Sequence, residues 1–294
     1  MSRSSIEGAP RAVIVISSHV ARGSVGNRAA VFALETLGFP VWAVPTVLLP
    51  WHPGHGPATR IVPDAEQFAA FLGDLENAPW LGEVAAVLTG YLGAAGQADA
   101  IAALVEKVKA KNPSALYVCD PVLGDKAGLY VPEPTAIAIR DRLMPLADLA
   151  TPNRYELEWL TGAKAPDTAA AIAAARKAAP ARMLVTSAPT GHDGRLANLL
   201  VTRDSALRAE HDAIARAPNG TGDLTAALHL AHTLRGLDAG RALALTTGSV
   251  VEILGKATAR GADELMLETD RPSLSQPQTA IDVEAVPQPA AQPA

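Results

Sequence analysis

The sequence predicts an α/β fold in which a central, mostly parallel sheet carries helices on both faces. Two observations carry that prediction. Short β-branched runs alternate with alanine-rich segments of helical character along most of the chain. Motifs rich in Gly, Ser, Asp and Asn fall just after those runs, where an open parallel sheet gathers its ligands. A third observation sets the extent: no internal repeat stands out and no Pro/Gly-rich linker divides the first 270 residues, so residues 1–270 are read as one domain.

Taken in order, the apolar run 12–16 is a strand, with Ser17, Ser18 and His19 behind it, and 26–37 is a helix. The strand 41–46 ends at Thr46 and precedes a helix over 65–75. The strand 84–89 delivers Gly90 and Tyr91, and a helix follows over 95–110. The strand 115–119 delivers Asp120, with Pro121 fixing the turn. Helices follow over 133–143, over 154–160 behind Pro152 and Asn153, and over 168–179. The strand 183–186 presents Thr186 and Ser187, 199–201 is a further strand, and helices over 222–234 and 239–259 close the pattern. From Arg271 the chain is rich in Pro, Gln, Ala and Ser without apolar periodicity, so residues 271–294 are expected to form a disordered tail.

Composition limits the function classes. Charged residues make up 19% and the formal net charge is −5, which leaves no electrostatic footprint for nucleic acid or an anionic membrane surface. The single cysteine, Cys119, excludes an internal disulfide and a cysteine-rich metal site, and its apolar run makes it a buried strand residue without a role. Residues 1–10 are polar, and 12–16 is too short for a signal core or a membrane span, so a cytoplasmic protein is expected.

The chemistry centres on Pro218-Asn219-Gly220-Thr221-Gly222-Asp223, a glycine turn that feeds an apolar helix. Glycines let backbone approach a ligand closely, and the free N–H groups of the helix start attract anions. No Lys-Ser or Lys-Thr pair follows the second glycine, as it would in a Walker cradle; Asp223 stands there instead. A carboxylate beside an anion site is unfavourable for simple binding, and is useful where it must orient and deprotonate a hydroxyl attacking phosphorus. The tetrapeptide alone serves equally an acid that only complements the helix dipole.

Together the motifs resemble the ribokinase superfamily and, within it, the pyridoxal kinases, over roughly residues 11–268. The superfamily signature is Asn219-Gly220-Thr221-Gly222-Asp223 with Asn153-Arg154-Tyr155-Glu156. The subgroup is suggested by Ser17-Ser18-His19-Val20 with Gly23, Gly26 and Asn27, by Gly90-Tyr91-Leu92-Gly93, by the stretch from Cys119 to Gly124, and by Gly128-Leu129-Tyr130-Val131-Pro132. One segment departs: Leu49-Pro50-Trp51-His52-Pro53-Gly54-His55 stands where many members carry Ser-Asn-His-Thr, with His52 aligned to the family histidine.

The resemblance implies a ribokinase-like fold and transfer of phosphate from ATP to the 5′-hydroxymethyl group of a B6 vitamer. It implies amides of Gly220, Thr221 and Gly222 around the transferring phosphoryl group and Asp223 as base. It places Ser18, Thr46, His52 and Tyr91 on the vitamin. It places Asp120, Asp125, Tyr130, Glu156, Thr186, Ser187 and Asn219 on ATP, with Asp120 and Glu156 holding Mg²⁺ largely through water. Gly124 to Pro132 resembles a lid hinged at Gly124 and Gly128. A monovalent cation such as K⁺ and a homodimer belong to the same expectation. Two other readings stand beside it: a hydroxymethylpyrimidine kinase of the same superfamily, and a catalytically idle vitamin- or nucleotide-binding protein. The pairs His52/His55 and His229/His232 lack the Glu and third ligand of a zinc hydrolase, and the glycines around Gly90 lack a dinucleotide-binding context.

Overall fold

The computed structural model describes residues 11–215 and 217–287. Its centre is β1 (Ala12–Val20), whose side chains alternate between two separate cores. Ile14 and Ile16 face one and Val13 and Val15 the other, so the strand is buried on both faces, as a central parallel strand must be. β2 (Val41–Leu49) and β3 (Val84–Thr89) pair with it in parallel on opposite sides. β4 (Leu116–Cys119), β7 (Leu149–Ala150) and β8 (Arg182–Pro189) continue the parallel array beyond β3. β9 (Arg195–Thr202), β10 (Ala206–Asp212) and β11 (Val283–Ala285) then extend it antiparallel. The nine-stranded order is β11-β10-β9-β8-β7-β4-β3-β1-β2. β5 (Gly124–Asp125) and β6 (Gly128–Leu129) form a separate hairpin.

The helices divide between the two faces. α2 (Ala65–Glu76), α3 (Gln97–Lys111), α4 (Glu133–Ala138), α5 (Arg154–Thr161) and α6 (Thr168–Lys177) supply Phe68, Ile101, Ala136, Leu157 and Ile172 to the first core. α1 (Asn27–Thr36), α7 (Thr221–Leu234), α8 (Ala239–Ala259) and α9 (Arg271–Ser275) supply Leu34, Leu228, Ile253 and Leu274 to the second. The expected helix 133–143 leaves α geometry after Ala138 and finishes in a π turn over Ile139–Leu143.

The sequence reading fails in the C-terminal segment. Residues 271–287, expected to be a disordered tail, are built into the fold: Leu274 and Ser273 are buried, and β11 pairs with the edge strand β10. Glu252 of α8 anchors the segment, accepting the Gln278 and Thr279 amides, the latter at 2.9 Å, and the Ser273 hydroxyl at 2.7 Å. The average composition of the segment is polar, but a few apolar residues and one carboxylate dock it. The expectation for 288–294 lies outside the described residues.

Candidate active site

The chain runs from β1 to β2 on one side of the sheet and from β1's far side through β3, β4 and β7, so the strand order reverses beside β1. Such a reversal leaves a crevice at the carboxyl ends of the strands. A cleft of about 640 Å³ opens there, lined from β1 by Ser18, after β3 by Tyr91, after β4 by Asp120, and by Asn153, Thr186, Ser187 and the Pro218–Asp223 turn.

The turn is shaped by what surrounds it. Gly220 has φ 95° and precedes α7, and a Cβ there would collide with the Ser24 carbonyl oxygen. Only glycine fits both constraints. The first amides of α7 consequently face the cleft without intrahelical partners. Asp223 lies in that first turn and its carboxylate accepts the Gly26 amide and its own. Burial nevertheless outweighs those bonds and pushes it up to about 6. Gly90 lies beside it: a Cβ there would collide with Ser17 Oγ at 2.5 Å and stand in ordinary contact, 3.6 Å, with Asp223 Oδ1.

Asp120 follows β4, its amide bonded to the Thr89 carbonyl at 2.8 Å. Its Oδ1 accepts the Thr151 hydroxyl at 2.8 Å, while Oδ2 is buried without a protein partner. Burial first, then the Asp223 and Glu156 charges, raise it well above the usual carboxylate range. A small cavity of about 10 Å³, large enough for one water, touches both Asp120 and Asp223.

Glu156 has two tasks. It closes a capping box on α5 with Asn153, accepting the Asn153 amide on Oε2 at 2.8 Å while Asn153 Oδ1 accepts the Glu156 amide at 3.0 Å. Its Oε1 accepts the Leu123 amide at 2.9 Å and the Gly124 amide at 3.4 Å, holding the root of the β5–β6 hairpin. Asn153 adds a bond from Nδ2 to the Gly124 carbonyl at 2.8 Å. Burial pushes Glu156 up to about 7 against those three amides. The helix-start role and the charged role in the cleft thus coincide in one side chain.

Asp125 and Tyr130 line the cleft from the hairpin side. Thr186 is placed by its amide on the Pro152 carbonyl at 2.9 Å, and β8 breaks register between Val185 and Ala188. Within that break Ser187 has φ 54°, a left-handed conformation unusual for a residue with a Cβ and found where a site demands it. On the other side of the cleft His52 caps a short turn, Nδ1 accepting the Gly54 amide at 3.0 Å. Burial lowers its pKa, so the ring is neutral at neutral pH. Asn219 sits against the same turn, its Nδ2 3.2 Å from where a Gly54 Cβ would lie.

Fourteen of the fifteen anticipated residues line this cleft; Thr46 does not. It is fully buried, its hydroxyl donating to the Tyr91 carbonyl at 2.6 Å and its own carbonyl accepting the Gln97 side chain at 2.8 Å. Thr46 therefore positions Tyr91 from beneath. Sequence reasoning missed Arg60, and it singled out Asn27 and Ser17 as motif residues without assigning them a role. Asn27 is buried and donates to the Ser17 and Val44 carbonyls at 3.1 Å each, tying β1 to β2, and Ser17 Oγ accepts the Tyr91 amide at 3.1 Å. A second cavity of about 560 Å³ lies between β10, α8 and the C-terminal segment, lined in part by Ile214, Val251, Gly255 and Ile281.

Comparison with known proteins follows the same lines. The phosphomethylpyrimidine kinase family model matches residues 69–265. The chain is 39% identical over 281 residues to pyridoxal kinase PdxY of Rubrobacter xylanophilus, covering 93% of this chain and 97% of that one. It is 36% identical over 280 residues to pyridoxal kinase PdxY of Corynebacterium diphtheriae, covering 93% and 99%. Among solved structures, pyridoxal kinase from Leishmania donovani in complex with ADP and pyridoxamine superposes with a TM-score of 0.89 at 29% identity, over 94% of this chain and all of that one.

Proposed function

The chain belongs to the pyridoxal kinase family of the ribokinase-like superfamily, and we propose that it transfers the γ-phosphoryl group of ATP to the 5′-hydroxymethyl oxygen of a B6 vitamer. The observation that carries this reading is the placement of a half-buried carboxylate, Asp223, in the first turn of α7 beside the free amides of the Gly220–Gly222 turn, in one cleft with Asp120 and Glu156.

Phosphoryl transfer asks the protein mainly for alignment and counter-charge, because the loose transition state spreads charge over the equatorial oxygens. The amides at the start of α7 supply counter-charge to those oxygens. Asp223 accepts the hydrogen bond of the vitamin hydroxyl and takes its proton as the oxygen–phosphorus bond forms and the bond to ADP breaks. Its rise to about 6 keeps it ionised at neutral pH and brings its basicity nearer to the task. Ser18, His52 and Tyr91, with Thr46 beneath, receive the vitamin ring, while Asp125, Tyr130, Thr186, Ser187 and Asn219 receive the nucleotide. The hairpin rooted on Glu156 excludes water from the transfer. The second cavity is lined by Asp212 and Ile214 and the cleft by Ala217 and Pro218, close by in the chain, which supports placing the nucleoside toward that cavity.

The residues fit a divalent cation. A buried carboxylate oxygen without a protein partner, Asp120 Oδ2, beside two further raised carboxylates is a strained arrangement that a cation would relieve. Asp120 would hold Mg²⁺, with Glu156, whose oxygens already serve three amides, acting through water. Bound there, Mg²⁺ would neutralise charge on the phosphate chain. A monovalent cation such as K⁺, a homodimeric state and a cytoplasmic location rest on the family resemblance and belong to the same proposal; no helix among the described residues is long and apolar enough to cross a membrane.

The family model is named for the pyrimidine enzymes, which keeps hydroxymethylpyrimidine as the second candidate substrate. The test is identification of the product: with ATP, Mg²⁺ and pyridoxal, phosphorus NMR and mass spectrometry should show a 5′-phosphate ester and an equal amount of ADP. ADP without ester, or no product from any vitamer, would contradict the proposal.

A further inference from the structure

Arg60 is the one permanently cationic side chain among the described residues that line the cleft. Its backbone is fixed by the next residue, because Ile61 and Leu48 exchange amide–carbonyl bonds at 2.8 and 3.0 Å across an isolated bridge. Its Nη2 donates to the Gly93 carbonyl at 2.5 Å and to the Tyr91 phenol oxygen at 3.3 Å. Gly93 in turn is pressed on the Thr46 carbonyl, where a Cβ would collide. Both partners of Arg60 are neutral oxygens, and no carboxylate among the described residues is paired with it.

The cleft is therefore electrically two-ended. Arg60 belongs to the β2 side through Leu48, whereas Asp120 and Glu156 follow β4 and β7. β2 and β4 are separated by β1 and β3, three strand spacings or about 14 Å. Asp223 stands between, close to Gly90 after β3. A substrate whose hydroxymethyl oxygen meets Asp223 and faces a nucleotide on the β4 side must extend its ring, with the substituents at carbons 3 and 4, toward Arg60.

On that reading of the site, we propose that Arg60 sets vitamer preference, favouring pyridoxal and pyridoxine, which present oxygen at carbon 4, over pyridoxamine, which presents an ammonium. An unpaired guanidinium offers N–H donors to an oxygen and repels a second cation. At about 6 Å, in the partly solvated setting of an exposed arginine, the repulsion corresponds to about 3- to 30-fold in relative kcat/KM.

The test measures kcat/KM for pyridoxal and pyridoxamine in the parent and in Arg60→Gln, Arg60→Met and Arg60→Lys. The pyridoxal-to-pyridoxamine ratio should fall about 3- to 30-fold in Gln and Met and stay near the parental value in Lys. In the parent, raising salt from about 0.05 to about 0.5 M should also lower the ratio, and in the Gln variant it should not. An unchanged ratio in both neutral variants, or Lys behaving like Gln, would overturn the inference. Failure of the parent to phosphorylate any vitamer would overturn the reading of the site itself, and is told apart because it needs no variant.

Discussion

Replacing Asp223 by Asn separates chemistry from stability, because the structure gives the two effects opposite signs. The substitution keeps side-chain size and one acceptor for the Gly26 amide but removes the charge that receives the hydroxyl proton. With its pKa near 6, roughly 97% of the carboxylate is ionised at pH 7.5, so the parent is almost fully competent there and the variant is not. Loss of a general base costs about 10² to 10⁴-fold, so kcat should fall at least a hundredfold while KM changes little. Stability should move the other way. A carboxylate raised from near 4 to about 6 on folding costs about 3 kcal/mol when ionised, reduced to about 1 to 2 kcal/mol because Asp223 keeps partial access to the cleft. The Asn variant should therefore be as stable as the parent at pH 7.5, or more stable by that amount. An acid that only complements the helix dipole predicts the reverse: a loss of about 0.3 to 1 kcal/mol and normal turnover of the folded protein. Denaturant unfolding and single-turnover phosphorylation on one preparation decide the matter. A destabilised variant that retains most of the single-turnover rate would refute the reasoning.

Three further outcomes follow from the same geometry. Asp120→Asn should raise the Mg²⁺ concentration for half-maximal rate and leave the lid intact, whereas Glu156→Gln should raise it and also speed proteolysis within residues 124–132, since glutamine keeps only one of the two acceptor oxygens that together serve three backbone amides; equal protease resistance in the two variants would count against the root assigned to Glu156. The Asp223 and Glu156 carboxylates hold protons more tightly when folded, so their ionisation weakens the fold as pH rises through about 6 to 7, and Asp120 is raised in the same direction. Mg²⁺ should accordingly raise Tm more at pH 8 than at pH 6, and an equal rise at both would contradict the cation site. Truncation after Pro272 strips buried Leu274 and β11 from the fold; about 2 to 3 kcal/mol for the leucine alone corresponds to a Tm loss of several degrees, and an unchanged Tm would show that the segment does not dock.

Much of the parallel half of the molecule is legible in the chain, for a definable reason. The strand at 84–89 is buried along its whole length, so its apolar run has sharp ends, and the helices at 221–234 and 239–259 carry apolar residues at helical spacing. Cleft residues are legible because a parallel sheet puts its ligands after strand ends. What fails is what depends on the partner rather than on the segment. β11 is three residues long and is defined by pairing with β10, and the 271–287 segment is held by Glu252, which lies some twenty-five residues upstream. Thr46 stands at the right strand end, yet its hydroxyl turns to the Tyr91 carbonyl, a direction no spacing encodes. Arg60 sits in a loop with no periodicity, and its significance comes only from the neutral oxygens around it and the carboxylates gathered at the other end of the cleft.

The central claim, that this cleft phosphorylates a B6 vitamer on its 5′ oxygen, is met most directly by comparing kcat/KM for pyridoxal and for hydroxymethylpyrimidine in a coupled ADP-release assay with Mg²⁺. Both substrates present a hydroxymethyl group to Asp223, but only the vitamin offers a 3-hydroxyl and a 4-aldehyde oxygen to the Arg60 and Tyr91 end. The account predicts that pyridoxal is preferred by at least about tenfold, with ADP and 5′-phosphate ester formed one for one. Equal values, or a preference for the pyrimidine, would contradict it.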